Sequence, residues 1–244
     1  MQFKALGTRK IHRWLTLLFG IQLIIWSITG AVMVLLQLPY IHGHHLSQPA
    51  DKPITRFELL ERIPQLSEHY PQAIEAALLS RYVQGEFQYL FRVRTEQTQF
   101  LVNPNDFSRS DLGEDDIIAL AERYYAGRGD PVITQLTLFT DAHELPGEVA
   151  SRHAPVWQVE FADARRTTFY LAKDTGDLIT QRHQAWRLFD VMWMLHIMDY
   201  KDRSNISSWW ILAFAGITFV IALTGLWLLS YRYIARGWRR LWRA

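Results

Sequence analysis

The sequence predicts an α+β domain, made of two helix-plus-antiparallel-strand units, anchored by two transmembrane α-helices. Three observations predict it. Residues 14–38 and 206–230 carry no charged side chain, and each run of roughly 25 residues is long enough to cross a bilayer as a helix. All 24 acidic residues lie between Asp51 and Asp202 and 17 basic ones between Asp51 and Arg203, so the middle carries a net charge near −7 while both ends are purely basic. Within that polar middle, a helix start followed by strand-like runs occurs twice, at a period of about 60 residues.

The order of segments follows from charge and hydropathy. Residues 1–13 form a basic leader with Lys4, Arg9, Lys10 and Arg13. Residues 14–38 are the first span, too long for a signal-peptide core and followed by no small-residue cleavage pattern. Residues 46–184 are the α+β domain, residues 185–200 an interfacial helix, residues 206–230 the second span, and residues 231–244 a basic tail. Basic residues gather on the cytoplasmic side of spans. That rule puts both termini in the cytoplasm and the domain in the periplasm, across a bacterial inner membrane. The basic ends read as membrane orientation, and nucleic acid is not expected as a partner. Trp14, Trp209, Trp210, Trp227, Trp238 and Trp242 stand where an interfacial belt belongs.

The spans have small faces. Ser27 and Ala31 lie four apart in the first. Gly216, Thr218, Ala222 and Gly225 line the second. Both carry a Thr-Gly pair, Thr29-Gly30 and Thr224-Gly225, so the spans are expected to pack together and against a second copy. Ser204 and Asn205 are the expected caps of the second span.

The domain divides into units 54–105 and 111–182. The first opens with Thr55 as N-cap and Glu58 three residues on, a capping-box spacing. A short helix follows, then strands over 75–83, 87–94 and 99–102, with Gln84-Gly85 as a turn. The second opens at Asp111 with Glu114 three on. Its helix ends on Gly127 as C-cap, and strands follow over 132–139, 156–161 and 167–171. Residues 174–177 form a turn. The loop 140–155 reads as mobile.

Cysteine is absent. Disulfides, thiolate metal sites, iron–sulfur clusters and covalent c-type haem are therefore excluded. No phosphate loop, dinucleotide fingerprint or nucleophile–base pattern is present. The chemistry-bearing residues are histidines. His196 lies among Met192, Trp193, Met194, Leu195, Ile197 and Met198, and an ionisable ring beside a span needs a reason. His12 stands in RKIHR, before the first span. His42, His44 and His45 cluster after it, as a solvated turn or a metal site. His69, His143, His153 and His183 read as surface residues.

RKIHRW followed by an apolar span with Thr-Gly resembles the opening of the PepSY-associated transmembrane proteins. MLHIMDY followed by a span ending in TGLWLL resembles that family's second membrane motif. DLGEDDIIALAERYY, then VWQVEFADARRTTFYLAKDTGDLI, is similar to a PepSY domain. Larger members of the family include ferric-siderophore reductases of the inner membrane that carry b-type haem on membrane histidines; they have four spans where this chain has two.

The resemblance implies haem b as cofactor, with His12 and His196 at the ligand positions. A helix from residue 12 to residue 40 is about 42 Å long, so His12 and the histidines beyond that span cannot share one iron. A bis-His site at His12 would need a second copy, and a twofold homodimer supplies it. His196 would pair with its own counterpart, or with His44 or His45. Met192 and Met198 are alternative axial ligands or packing residues. Asp190 and Asp199 would orient a ligand ring or serve as caps. The expected function is electron transfer across the membrane to a ferric chelate or a periplasmic redox partner. The alternatives are a membrane-anchored binding, assembly or protease-inhibitory protein, and metal handling by His42–His45.

Overall fold

A computed structural model describes the backbone of residues 2–241 and the side chains of residues 7–233. The expected belt residues Trp238 and Trp242, and the side chains of Lys4, Arg236, Arg239, Arg240 and Arg243, lie outside those described. The chain divides into two compact units: residues 38–187, and the terminal segments 1–37 with 188–244. It is α+β, with two antiparallel sheets and two long apolar helices.

The first helix, α1, runs Gln2–Leu35. It begins well before the expected residue 14, and no proline interrupts the basic leader. It ends at Leu35, four residues before Pro39. The short turn α2 (Leu38–Ile41) follows.

The next segment departs from the expected cap. Thr55 does not cap a helix; its hydroxyl bonds to Tyr89 Oη at 2.7 Å. A 3-10 turn (Phe57–Arg62) leads into α3 (Ile63–His69), where Pro64 sits in the first turn, a position whose N–H needs no helical partner.

The first sheet has four strands in sequence order: β1 (Glu75–Val83), β2 (Glu86–Arg94), β3 (Gln99–Val102) and β4 (Arg109–Ser110). Gln84 and Gly85 both have positive φ, +53° and +85°, as the two-residue hairpin turn between twisted strands demands. One face packs Leu78, Phe91, Val93, Phe100 and Val102 against Leu59 and Leu66 of the preceding turns. The other carries Leu79, Val83, Leu90 and Leu101.

Helix α4 spans Glu114–Tyr124. Its start is two residues later than expected: Gly113 precedes it, and Asp116 accepts the Gly113 N–H at 3.0 Å. Its end comes before Gly127. Tyr125 turns extended and pairs with Ser47, while Ala126 N–H donates to Leu46 O at 2.8 Å. The segment at Leu46 thus captures the helix end, and no glycine cap forms.

The second sheet repeats the plan with β5 (Ile133–Phe139), β6 (Val156–Phe161), β7 (Thr168–Ala172) and β8 (Leu178–Arg182). Each unit therefore holds four strands where three were expected. Strand β4 is only two residues long, and β8 reads ITQ at its centre with no apolar alternation. Helix α4 packs on β1 and also on β6 and β7. Ile117, Leu120 and Ala121 meet Val159, Phe161, Phe169 and Leu171 in the main core.

Helix α5 (Gln184–Ile197) and helix α6 (Trp209–Leu241) complete the chain. Ser208 caps α6, with its Oγ 3.5 Å from Ile211 N. The expected caps are engaged otherwise: Asp199 accepts the backbone N–H groups of Ser204 and Asn205 at 3.1 and 3.0 Å. Segments Gly7–Leu35 and Trp209–Tyr233 are each long and apolar enough to cross a membrane.

Candidate functional site

The two long helices meet along a seam. On α1, residues 12, 15, 19, 22, 26, 29 and 33 are all partly or fully buried; on α6, so are 211, 214, 218, 221, 225 and 228. Alternating steps of three and four keep one stripe facing a partner helix. His12 meets Thr224, and Trp26 meets Phe214 edge-on at 6.0 Å, so the helices run antiparallel.

A histidine sits near each end of this unit, and each rests on the Thr-Gly pair of another helix. His12 of α1 has Nδ1 2.9 Å from Thr224 Oγ1 of α6. His196 of α5 has Nδ1 3.1 Å from Thr29 Oγ1 of α1. The glycines complete the seats: a Cβ added at Gly225 would stand 3.2 Å from His12 Cε1, and one at Gly30 would stand 3.0 Å from His196 Cε1. His196 also stacks on Trp26, with centroids 5.0 Å apart and planes within 10°. Both rings are half-buried, and among the described residues neither Nε2 has a hydrogen-bond partner.

Along α1, His12 and Thr29 are separated by about 26 Å at 1.5 Å per residue. Gln22 Nε2, Trp26 Nε1 and Thr218 Oγ1 lie on the seam between the two levels, buried and without partners among the described residues. The register set by the His12–Thr224 and Trp26–Phe214 pairs places Gln22 opposite Thr218. Polar groups left unpaired in an apolar surrounding cost free energy.

These residues fit a b-type haem in donor type: neutral imidazole is its ordinary axial ligand. Each level of one chain offers a single ring. His12 is turned onto α6 of its own chain, with its Nε2 still free of a described partner.

The carboxylates do not orient His196. Asp190 pairs with Arg203, and Asp199 accepts loop N–H groups. The threonines hold that position instead. Sequence reasoning had singled out both Thr-Gly pairs as packing faces; the missed signal was that each long apolar helix has one such pair to receive one histidine.

His44 and His45 lie in the other unit. His45 stacks on Tyr40 at 4.7 Å and meets His183 edge-on at 5.6 Å, while His42 and His44 are exposed with centroids 5.8 Å apart. His183, expected at the surface, is buried at 1% exposure. Its Nε2–H donates to the carbonyls of Tyr40 and Ile41 at 3.0 and 3.1 Å. Burial lowers its pKa below the ordinary value, against the opposing pull of those two carbonyls. His45 is lowered too, by burial and then by the charges of Arg165 and His183. His69 and His143 are exposed, and His153 is half-buried. Among the described residues, no group of three or more His, Asp or Glu side chains could hold a metal ion.

No protein-family model matches this chain, and no curated protein matches it.

Proposed function

We propose that the chain is a haem b-binding electron-transfer protein of the bacterial inner membrane, related to the PepSY-associated transmembrane proteins. Both termini lie in the cytoplasm, and the α+β domain is a PepSY-like module in the periplasm. The observation that carries this reading is the pair of seated imidazoles, His12 on Thr224-Gly225 and His196 on Thr29-Gly30, each with Nε2 free of described partners. Ionisable rings seated against two long apolar helices mark a functional site by default.

His12 and His196 would hold the iron at two levels. When bound, haem supplies one-electron chemistry by cycling between ferric and ferrous iron. The chain's own part is to fix the rings, through a hydroxyl at Nδ1 and a glycine beneath, and to keep them in apolar surroundings. One chain gives one ring per level, so a homodimer completes a bis-imidazole site at each. The acceptor is a ferric chelate or a periplasmic redox protein.

The test is a visible spectrum of the full chain purified in detergent, oxidised and then dithionite-reduced. A Soret band that sharpens on reduction is expected, and His12→Ala and His196→Ala should each remove part of it. A preparation that stays colourless after haem loading overturns the reading and leaves a membrane-anchored binding or assembly protein.

A further inference from the structure

We infer that Thr29 and Thr224 are positioning residues that lock His196 and His12 in the Nδ1–H tautomer, leaving each Nε2 as a bare lone pair aimed away from its threonine. A threonine hydroxyl has one proton. Thr29 Oγ1 lies 2.9 Å from Ile25 O and 3.1 Å from Trp26 O. Thr224 Oγ1 lies 2.8 Å from Val220 O and 3.0 Å from Ile221 O. Carbonyl oxygens only accept, so at these distances the proton must lie between hydroxyl and carbonyl; without it, the oxygens would repel. The hydroxyl has then spent its proton on the helix backbone, and its remaining contact, the imidazole Nδ1, must donate. Nδ1 therefore carries hydrogen.

The opposite assignment fails at the other end of the ring as well. It would put the proton on Nε2, where among the described residues no acceptor waits, and would leave Nδ1 and the hydroxyl oxygen facing each other with no proton between them. The same arithmetic holds at both sites, on different helices. Neutral imidazole in water prefers the Nε2–H form, so the seat inverts the ring's native preference. A ring held this way presents to iron the one nitrogen that can bind it, and the group on the other nitrogen sets ligand orientation and basicity.

The use made of the lone pair rests on the haem reading above; the tautomer itself does not. The test is nitrogen NMR of the full chain in detergent micelles, haem-free, with ¹⁵N-labelled histidine, at a pH where the rings are neutral. His12→Gln and His196→Gln assign the two resonances. Both rings are expected in the Nδ1–H form. Thr29→Val should return His196 to the Nε2–H form and leave His12 unchanged, Thr224→Val should do the converse, and the serine variants should restore the wild-type pattern. A wild-type Nε2–H signal, or valine variants with no effect, overturns the inference.

A second arm uses haem-loaded protein. Removing the acceptor at Nδ1 makes the imidazole a weaker donor to ferric iron, so each valine variant should keep its Soret band and shift one midpoint potential to a more positive value. An unshifted potential overturns the positioning role. Wild-type protein that refuses haem but shows both rings as Nδ1–H would defeat the functional reading alone.

Discussion

His196 and Gly30 are in contact so close that one methyl group at residue 30 would stand 3.0 Å from the imidazole Cε1. Alanine is otherwise the better helix former by about 1 kcal/mol, so Gly30 is kept for the ring and not for the helix. The same relation joins Gly225 to His12 with slightly more room, 3.2 Å.

Gly30→Ala should therefore displace the His196 ring from Thr29 while leaving the helices formed. The expected result is loss of about half the Soret absorbance per chain with unchanged far-ultraviolet circular dichroism, following the two-level reading. Gly225→Ala should act on the His12 level, less severely. Two alanine variants with wild-type spectra would show that the rings tolerate the shift and that the glycines serve only packing.

Asp190 gives a contrasting control. A carboxylate six residues before His196 looks like the partner that orients a ligand ring, yet it faces Arg203. Asp190→Asn should leave the visible spectrum and the midpoint potentials as in the wild type. It should loosen the loop at Arg203, read as faster proteolysis there. A spectral change in this variant equal to that of Thr29→Val would return the orienting role to the carboxylate.

How much the sequence could show differs between the two units. Strands with strong β patterning were placed to the residue, as at Glu75–Val83 and Val156–Phe161. Strand β8 escaped because it draws its pairing from β7 and not from its own alternation. The cap at Thr55 failed because Tyr89, 34 residues later, takes its hydroxyl. The histidine at 196 was legible as a ring needing a reason, since apolar neighbours flank it in the chain; His12, among basic residues, was legible only through the family resemblance. Their seats were not, because the link from His12 to Thr224 spans 212 residues and depends on how two helices pair. His183 was misread for the same cause: its partners are backbone carbonyls 142 and 143 residues away, which no side-chain pattern announces.

His183 gives a pH prediction. Its folded pKa lies below the ordinary 6.5 because burial disfavours the charged ring. The unfolded chain therefore binds the proton more readily, so stability is complete above that ordinary value and falls as the pH drops through it toward the folded value. His45 and His153 are lowered as well and act in the same direction. The unfolding midpoint of the full chain in urea should decline between about pH 7 and pH 5. His183→Gln should flatten that decline at the cost of some stability at pH 8. An equally steep decline in the variant would assign the effect to the other histidines.

Arg81 is the strongest test of what holds the two repeats together. It stands on β1 with its side chain 2% exposed, bonds to both carboxylate oxygens of Asp51 at 3.0 and 2.8 Å, and reaches the turn between β7 and β8. There it donates to Asp177 at 2.8 Å and to the Thr175 carbonyl. Burial by itself would lower the guanidinium pKa, but the bond to Asp51 and the nearby acidic groups hold it above its ordinary value. Burial would likewise raise Asp177; the charge and hydrogen bond of Arg81, with Thr175 and Arg92, hold it below the usual carboxylate range. A carboxylate depressed in this way contributes stability that is present above its unfolded pKa and is lost as the pH falls through its folded one, so acid below about pH 4 should open the domain at this joint. Arg81→Met leaves the Asp51 carboxylate and the Thr175 carbonyl without their donor and Asp177 with only Thr175 and Arg92, and should cost about 3–5 kcal/mol in urea unfolding followed by the fluorescence of the buried Trp157. Arg81→Met with Asp51→Leu should recover part of that loss, since an apolar pair removes the one carboxylate that Arg81 alone had paired among the described residues. A double variant no more stable than Arg81→Met would place the cost in lost shape, and the repeats would then be joined by packing around α4 and not by this cluster.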